Sequence, residues 1–304
     1  MERHGWRALV SAGLLVFGIG AAAPLTGADG EVPPTLEARA VAEGGRFGFA
    51  VPGFAVVEQI IDGGGPVAEA RTDVLGNSKA FAALPYPGDS AINGPSNVAG
   101  LAGLPSPPAY PFYAGSSYPL QPEASMQQPG WQLHAKSEEF ASEATAMTGA
   151  ADEQATFGRV TTRASARRDP KTGAVVSEAT STVTGFRIGD ALSIGSVAVS
   201  ARVARSSLEA IERASELRVD GLLIGGQAVS VTEAGLSLPG GETALPDSSP
   251  LLQALKAQGI TISYVRARQD DEGVTSAGLF ITHEMKSPSG HTIRFTYSLG
   301  RASA

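Results

Sequence analysis

The sequence contains no cysteine. This absence excludes a disulfide framework, on which small exported domains commonly depend and larger ones do not. It also excludes attachment of a lipid to an N-terminal cysteine of the mature chain. The C-terminal residues HTIRFTYSLGRASA contain neither a hydrophobic tail nor an LPxTG-like sorting sequence, so they offer no second route to surface attachment.

Charged residues are scarce as well, at 17% of the chain, and the net charge is −7 at pH 7. Removing residues 1–28, which contain two arginines and one glutamate, changes the net charge to −8. The chain has no block of like charges that would serve as an interaction tail. We therefore expect neither nucleic acid nor an anionic membrane surface as the main partner.

Nucleotide-binding motifs are missing. The stretch IIDGGGPVAEART (60–72) has three consecutive glycines. It lacks both the Gly-Lys-Ser/Thr sequence of a phosphate loop and the third glycine of a dinucleotide fingerprint. We interpret the glycines as a turn of the chain, with Pro66 beginning a helix over residues 66–75.

Histidine, the commonest metal ligand, is represented after the N-terminal region only by His134, His283 and His291. The stretch HEMKS begins like a zinc-protease motif but lacks its second histidine. A two-residue loop within SPSG places Lys286 opposite His291 and His283 opposite Arg294, which sends the two histidines to opposite faces. A shifted register would bring them onto one face, but no third ligand is evident. The sequence thus predicts no metal site and no cofactor.

Catalytic motifs are also absent. The stretch GLSLP (235–239) has proline where a nucleophile elbow requires glycine, although a dispersed Ser-His-acid triad stays open. The acidic pairs Glu138–Glu139 and Asp270–Asp271 belong to no calcium loop, and the second pair lies in a predicted hairpin turn. We therefore predict no catalytic residue and no enzymatic activity.

The N-terminal residues have the three-part layout of a secretory signal. Arg3, His4 and Arg7 form a basic region, residues 8–25 are uncharged and apolar, and small residues at 26 and 28 predict cleavage before Asp29. A retained N-terminal anchor is the alternative, because the apolar run approaches the roughly 20 residues that a span requires. Both readings place the rest of the chain outside the cytoplasm, and cleavage leaves no membrane span.

Residues 29–130 are rich in proline, glycine and aromatic residues. RFGFAVPGF (46–54) alternates as a half-buried strand does. Residues 66–75 and the short stretch KAFAAL (79–84) are predicted as helical. The prolines of residues 84–130 exclude a regular helix and predict a long loop laid across the folded body.

Residues 131–304 predict long antiparallel strands joined by hairpins. WQLHA and the segment through Met147 indicate a strand with a bulge, although a helical face also fits. DPKTG (169–173) is a strong turn signal between two strands. Residues 206–217 fit both strand and helix, whereas SSPLLQALKAQG predicts a helix near 249–258 capped by Ser249. The last three strands surround QDDEG and SPSG.

An internal similarity relates VTGFRIGDALSI (183–194) to VDGLLIGGQAVSV (219–231). We interpret the shared V-x-G-x-x-I-G as a strand, a tight turn and a return strand. Duplication of a hairpin unit and a chance match both account for it, and two copies are too few for a solenoid.

The best binding candidates are the rings of PAYPFYAGSSYPLQP (108–122), namely Tyr110, Phe112, Tyr113 and Tyr118. On an extended backbone such rings stack on sugars or contact a protein. The alternative is that they cover an apolar edge of the sheet.

The stretches VPGFAVVEQIIDGGGPVAEA, FAALPYPGD and LLQALKAQGITISYV together resemble uncharacterised secreted proteins of high-GC Gram-positive bacteria. The resemblance spans most of the mature chain. It implies secretion and a β-rich body and brings no activity, since none is known for the group.

These observations predict an α+β fold dominated by a long-stranded antiparallel sheet, a hairpin meander, with one or two covering helices. The expected function is that of a secreted, non-enzymatic protein with an extracellular or cell-surface binding or structural role. Its partner is an unknown protein, a glycan or an apolar ligand. The alternatives are a carrier of a lipid-like ligand in a curved sheet around a helix and, third, a hydrolase with a dispersed triad. The oligomeric state is not predicted.

Overall fold

The computed structural model describes residues 37–53, 59–149, 156–206, 210–241, 243–271 and 273–304. The predicted signal peptide, residues 1–28, lies outside the described residues. The two helices of the described residues are α1 (Asp89–Leu101) and α2 (Pro250–Ala257). The strands are β1 (Ala38–Ala50), β2 (Gln59–Gly64), β3 (Val67–Thr72), β4 (Ser78–Ala83), β5 (Tyr113–Ser117), β6 (Glu123–Gln128), β7 (Trp131–Glu138), β8 (Ala141–Thr148), β9 (Val160–Arg168), β10 (Val175–Ile188), β11 (Leu192–Arg205), β12 (Ile211–Asp220), β13 (Leu223–Ile224), β14 (Gln227–Ala228), β15 (Ser230–Thr232), β16 (Gly235–Ser237), β17 (Ile260–Val265), β18 (Arg268–Gln269), β19 (Val274–Thr275), β20 (Gly278–Lys286) and β21 (Thr292–Ser303).

Most of these strands form two large antiparallel sheets that pack face to face, and β15 pairs with β16 in a separate two-stranded sheet. Sheet 1 has the order β17-β20-β21-β1-β3-β4-β5, with β2 beside the end of β1. Sheet 2 has the order β14-β13-β11-β10-β9-β8-β7-β6, with β12 also on β11. Strand β3 lies against β8 and β9, and β4 lies against β7 and β8. The predicted fold class, an α+β chain dominated by a long-stranded antiparallel meander, is confirmed.

Alanine forms much of the contact between the sheets. Alternation along the strands points every second side chain inward, and at these positions the chain has a small residue. The inward alanines, all at most 4% exposed, are Ala38, Ala40, Ala42, Ala68, Ala70, Ala80, Ala82, Ala114, Ala135, Ala144, Ala146, Ala164, Ala166 and Ala179. Polar contacts also join the sheets here: the hydroxyl oxygens of Ser116 and Ser137 lie 2.8 Å apart, and Ser142 Oγ donates to the carbonyl of Arg71. Small side chains allow the two backbones to approach closely.

Larger side chains fill the remainder of the core. Phe186, Leu192 and Ile194 from sheet 2 are buried, as are Leu279 and Ile281 from sheet 1. Helix α2 covers this region: Leu255 is 2% exposed, and Leu251 and Leu252 pack against the core. As predicted, the helix begins at a Ser249 cap, whose side chain accepts a hydrogen bond from the backbone N–H of Leu252.

Two helical predictions in the N-terminal part are wrong. Residues 66–75 contain β3, and residues 79–84 contain most of β4. Alanine favours helices in isolation, but here its small side chain is needed at sheet positions buried on both faces. The triple glycine does turn the chain, because Gly65 joins β2 to β3 through Pro66, but a strand follows it and not a helix.

The prediction of one long loop over residues 84–130 is also wrong. This segment contains α1, β5 and β6. Helix α1 includes Pro95, whose missing N–H removes one backbone hydrogen bond without ending the helix. Its C-terminal end exposes Val98, Leu101 and, just beyond it, Leu104.

Two further details of the C-terminal part differ from expectation. The segment after WQLHA is not one bulged strand, because β7 and β8 form a hairpin that turns at Phe140, with a φ of 61°. The hairpin around SPSG pairs Lys286 with Thr292 and His283 with Phe295, one residue away from the predicted register. The loop spans Pro288–Gly290 instead of two residues, and its last member adopts a φ of 85°. Residues 211–217, predicted as either strand or helix, belong to β12.

The internal similarity corresponds to equivalent backbone geometry. Val183–Ile188 ends β10 and Leu192 begins the return strand, while the second copy continues from β12 through β13 and β14. The glycines that match at the offset of 36 residues have matching left-handed φ values: 68° at Gly185 and 66° at Gly221, then 53° at Gly189 and 55° at Gly225. The predicted strand, tight turn and return strand are therefore confirmed in both copies.

Candidate functional site

Three aromatic rings form a row at the end of the sandwich where β7 begins, with Phe112 in contact with both Tyr110 and Trp131. The centroid of Tyr110 lies 6.0 Å from that of Phe112, and Phe112 lies 5.8 Å from Trp131 in an edge-to-face arrangement. Such pairs are favourable beyond the area that they bury. We call these three residues the ring array.

Hydrogen bonds to the loop after β4 hold the ring array in place. The hydroxyl of Tyr110 donates to the carbonyl of Pro85 at 3.0 Å, and the backbone N–H of Leu84 donates to the carbonyl of Phe112 at 3.0 Å. Burial raises the pKa of the Tyr110 hydroxyl. Phe112 is 38% exposed although it is fixed on both sides. The array is thus an ordered aromatic surface in contact with solvent.

The other two predicted rings lie elsewhere. Tyr113 stacks on Phe81 at 5.5 Å, and Phe81 stacks on Tyr86 at 5.0 Å, on the outer face of sheet 1. Phe81 is 5% exposed, so Tyr113 helps to cover an apolar part of the sheet. Tyr118 is 37% exposed at the corner between β5 and β6, without a ring contact among the described residues. The four predicted residues therefore separate into three places.

A cleft of about 530 Å³ adjoins the ring array at Trp131. Its polar lining comes from Gln127, Gln128, Gln132 and Arg159, and the rest from the Pro129–Gly130 turn, Met147 and Gly149. Sequence reasoning missed this cleft. The available signal was the glutamine-rich turn QQPGWQ, in which Gln127 and Gln132 pair on the outer face of sheet 2, whereas Trp131 pairs with Gln128 on the face toward sheet 1.

A second polar cluster lies on the outer face of sheet 1. Glu69 is 4% exposed, and its carboxylate accepts hydrogen bonds from the guanidinium group of Arg39 at 2.9 and 3.2 Å. It also forms an ion pair with Arg71 at 3.0 Å. The hydrogen bond to Glu69 raises the pKa of Arg39 above its ordinary value. Because Arg39 and Arg71 are cross-strand neighbours, the carboxylate separates two like charges. We assign this cluster a stabilising role.

The prediction that His283 and His291 lie on opposite faces is wrong, because the observed register places both on the same face of their hairpin. The three histidines nevertheless form no common site. His134 Nε2 lies 3.0 Å from Glu123 Oε1 on the outer face of sheet 2, where the glutamate side chain is 61% exposed. Ser125 is the cross-strand partner of His134, but the described residues contain no hydrogen bond between them. His283 lies beside Phe295 on another part of sheet 1, and burial lowers its pKa. Among the described residues no three His, Asp or Glu side chains group as metal ligands.

The geometry defines a two-sheet β protein with an ordered aromatic surface and a separate cleft whose paired glutamines lie on the outer face of sheet 2. In comparisons with known proteins, no family model matches the chain, and no curated protein sequence matches it. Within the residues that the structure describes, no helix has both the length and the apolar character that crossing a membrane requires.

Proposed function

We propose that the chain is an exported, non-enzymatic binding protein whose contact surface is the ring array. The observation that carries the proposal is the fixed contact among Tyr110, Phe112 and Trp131, with Phe112 38% exposed. Aromatic side chains supply large contact area at small entropic cost and are enriched where proteins bind partners. An ordered surface of this kind is ready to bind without rearrangement.

The packing between the sheets favours surface binding over a carrier. Side chains such as Ala40, Ala68, Ala144 and Ala164 have no accessible surface at all. No space large enough for a water molecule therefore touches them, and a lipid-sized ligand requires several hundred Å³. The hydrolase alternative rests on the His134–Glu123 pair, which lies on an open face where water is not excluded.

A cell-binding assay tests the ring array. We expect labelled protein to bind washed cells of the source organism and Phe112→Ala to reduce that binding at least tenfold. Tyr118→Ala is the matched control, because this ring is equally exposed, at 37% against 38%, and lies outside the array. Both variants should retain the wild-type circular dichroism spectrum. Equal binding by the wild type and Phe112→Ala would contradict the proposal.

Export is a separate part of the proposal, supported by the signal-like layout of residues 1–28. Intact-mass spectrometry of protein recovered from the culture medium should show a chain that begins at Asp29. Recovery of the full-length chain from the membrane fraction alone would indicate a retained anchor instead.

A further inference from the structure

We propose that β6, an edge strand of sheet 2, pairs with β6 of a second copy of this chain. The two strands run antiparallel about a two-fold axis at Ser125, so that the second sheets of both copies join into one continuous sheet. This pairing is independent of the proposed function, because the ring array takes no part in it.

The backbone of β6 has free hydrogen-bonding groups along its outer edge. In the ladder with β7, the N–H of Ser137 donates to the carbonyl of Pro122 at 2.7 Å, and the pairing continues in register along β6. Because hydrogen-bonded and non-bonded pairs alternate in an antiparallel ladder, the N–H and C=O groups of Glu123, Ser125 and Gln127 point away from β7. All three residues are exposed, and no strand of the described chain pairs with this side of β6.

Strand β6 lacks the features that protect most edge strands from pairing. Natural edges are blunted by charged side chains, bulges, prolines within the strand or covering elements. In β6 the register with β7 has no bulge, and Glu123 is the one charged residue. Prolines lie only outside its two ends, at positions 122 and 129. The edge between these prolines is therefore open to pairing.

Two other edge strands are protected. Strand β12, on the side of sheet 2 away from β6, has the highly charged sequence IERASELRVD, and its Arg213 guanidinium donates to the carbonyl of Asp271. Strand β17, at the edge of sheet 1, is covered by α2, so that Ile260 and Ile262 are only 2% and 8% exposed. Of these three edges, β6 is the one that a further strand can join.

The sequence of β6 is complementary to itself. With Ser125 on the two-fold axis, Glu123 lies opposite Gln127 of the second copy, so no like charges face each other. On the inner face, Ala124 lies opposite Met126 of the second copy. Both are partly buried against the core, and the pairing covers the sides that the edge leaves open. Parallel pairing in register would instead place the two Glu123 carboxylates side by side, which favours the antiparallel arrangement.

The antiparallel pairing forms about six backbone hydrogen bonds, two for each residue pair whose groups face each other across the axis. Each copy already holds β6 extended in its ladder with β7, so association does not have to order the strand. The contact is small, and we therefore expect a weak, reversible dimer. The N–H of Ser125 bonds only to the second copy, which makes it the position to test.

Sedimentation equilibrium over a concentration series up to about 1 mM tests the pairing. We expect a monomer–dimer equilibrium. Ser125→Pro should raise the dissociation constant at least about tenfold, because each copy loses one N–H donor to the other. The matched control is Ser215→Pro on β12, where the N–H also points away from the neighbouring strand, as the bond from the Ser206 N–H to the Ala210 carbonyl indicates. This control should dimerise as the wild type does.

Disulfide cross-linking tests the register, and the absence of cysteine from the chain makes it specific. In a dimer of Ser125→Cys the two Cα atoms at position 125 would lie about 5.5 Å apart, within the range that a disulfide spans. We expect a disulfide-linked dimer in oxidised glutathione. Glu123→Cys is the control, because its two thiols would lie four strand positions apart, roughly 14 Å, and should stay unlinked.

Three outcomes overturn the proposed pairing: a monomer at every concentration, equal dimerisation by the wild type and Ser125→Pro, or cross-linking of Glu123→Cys in preference to Ser125→Cys. If circular dichroism shows that Ser125→Pro does not fold, the wild-type sedimentation and the cross-linking decide. The cell-binding assay with Phe112→Ala does not depend on the dimer, so a failure of the pairing leaves the proposed function standing.

Discussion

The close approach of the two sheets makes Gly44 on β1 a sensitive position. A Cβ atom added there would overlap Cγ1 of Val160 on β9 and lie 3.1 Å from Cδ of Pro66 and 3.3 Å from Cγ2 of Thr162. Valine is stiff at χ1 and cannot turn its methyl group away within a filled core. We therefore expect Gly44→Ala to lower the free energy of unfolding by about 1–3 kcal/mol, the range of overpacking.

A double-mutant cycle separates this clash from other effects of the substitution. Val160→Ala alone should cost about 2 kcal/mol, from two lost methyl groups and the space that they leave. In the double variant the methyl group added at position 44 occupies part of that space, so the two costs should fall short of additivity by about 1–2 kcal/mol. Urea unfolding followed by circular dichroism measures all three values.

The matched control is Gly63→Ala on β2. A Cβ there meets no atom within 4 Å, so stability should be unchanged or about 0.5 kcal/mol higher. The reasoning is refuted if Gly44→Ala costs no more than Gly63→Ala, or if the costs of Gly44→Ala and Val160→Ala simply add.

Three other substitutions test separate parts of the fold. Ser249→Ala removes the cap of α2 and should lower the free energy of unfolding by about 1 kcal/mol in urea; an unchanged midpoint would contradict the capping role. Glu69→Gln leaves Arg39 and Arg71 without the negative charge between them and should lower the free energy of unfolding by about 1–3 kcal/mol, with the larger loss at low salt. An equal loss at low and high salt would argue against the stabilising role of Glu69. Burial lowers the pKa of His283 in the folded chain. When the pH falls below about 6.5, the ordinary pKa of histidine, the unfolded chain therefore binds more protons than the folded one, and the free energy of unfolding falls. His283→Gln should therefore lose less stability than the wild type between pH 7 and pH 5, as thermal melts at both pH values would show.

Strands with strict alternation and strong turns were predictable because their signals are local. At DPKTG, the carboxylate of Asp169 accepts hydrogen bonds from the backbone N–H and hydroxyl of Thr172 and from the N–H of Lys171. These bonds, with that of the Lys171 N–H foremost, lower the pKa of Asp169. The residues that make this turn lie within it, so the sequence alone indicates β9 and β10.

Strands β3 and β4 were not predictable in the same way. Their alanines have no preference for a sheet, and only the neighbours on both faces make a small side chain necessary there. The ring array illustrates the same limit. Tyr110 and Phe112 stand out in a proline-rich segment, whereas Trp131 looks like the start of an ordinary strand. Its contact with Phe112 depends on the packing of β5 against β7, which no local pattern specifies.

The strand order of sheet 1 has a consequence for the timing of folding. Strand β1, near the beginning of the described chain, has its partner β21 at residues 292–303. The edge of β1 that faces β21 therefore stays open until about 250 later residues have been delivered. If the chain is exported as proposed, such late closure would leave it unfolded while it crosses the membrane. The same topology joins the first and last strands of the described chain once β21 pairs with β1.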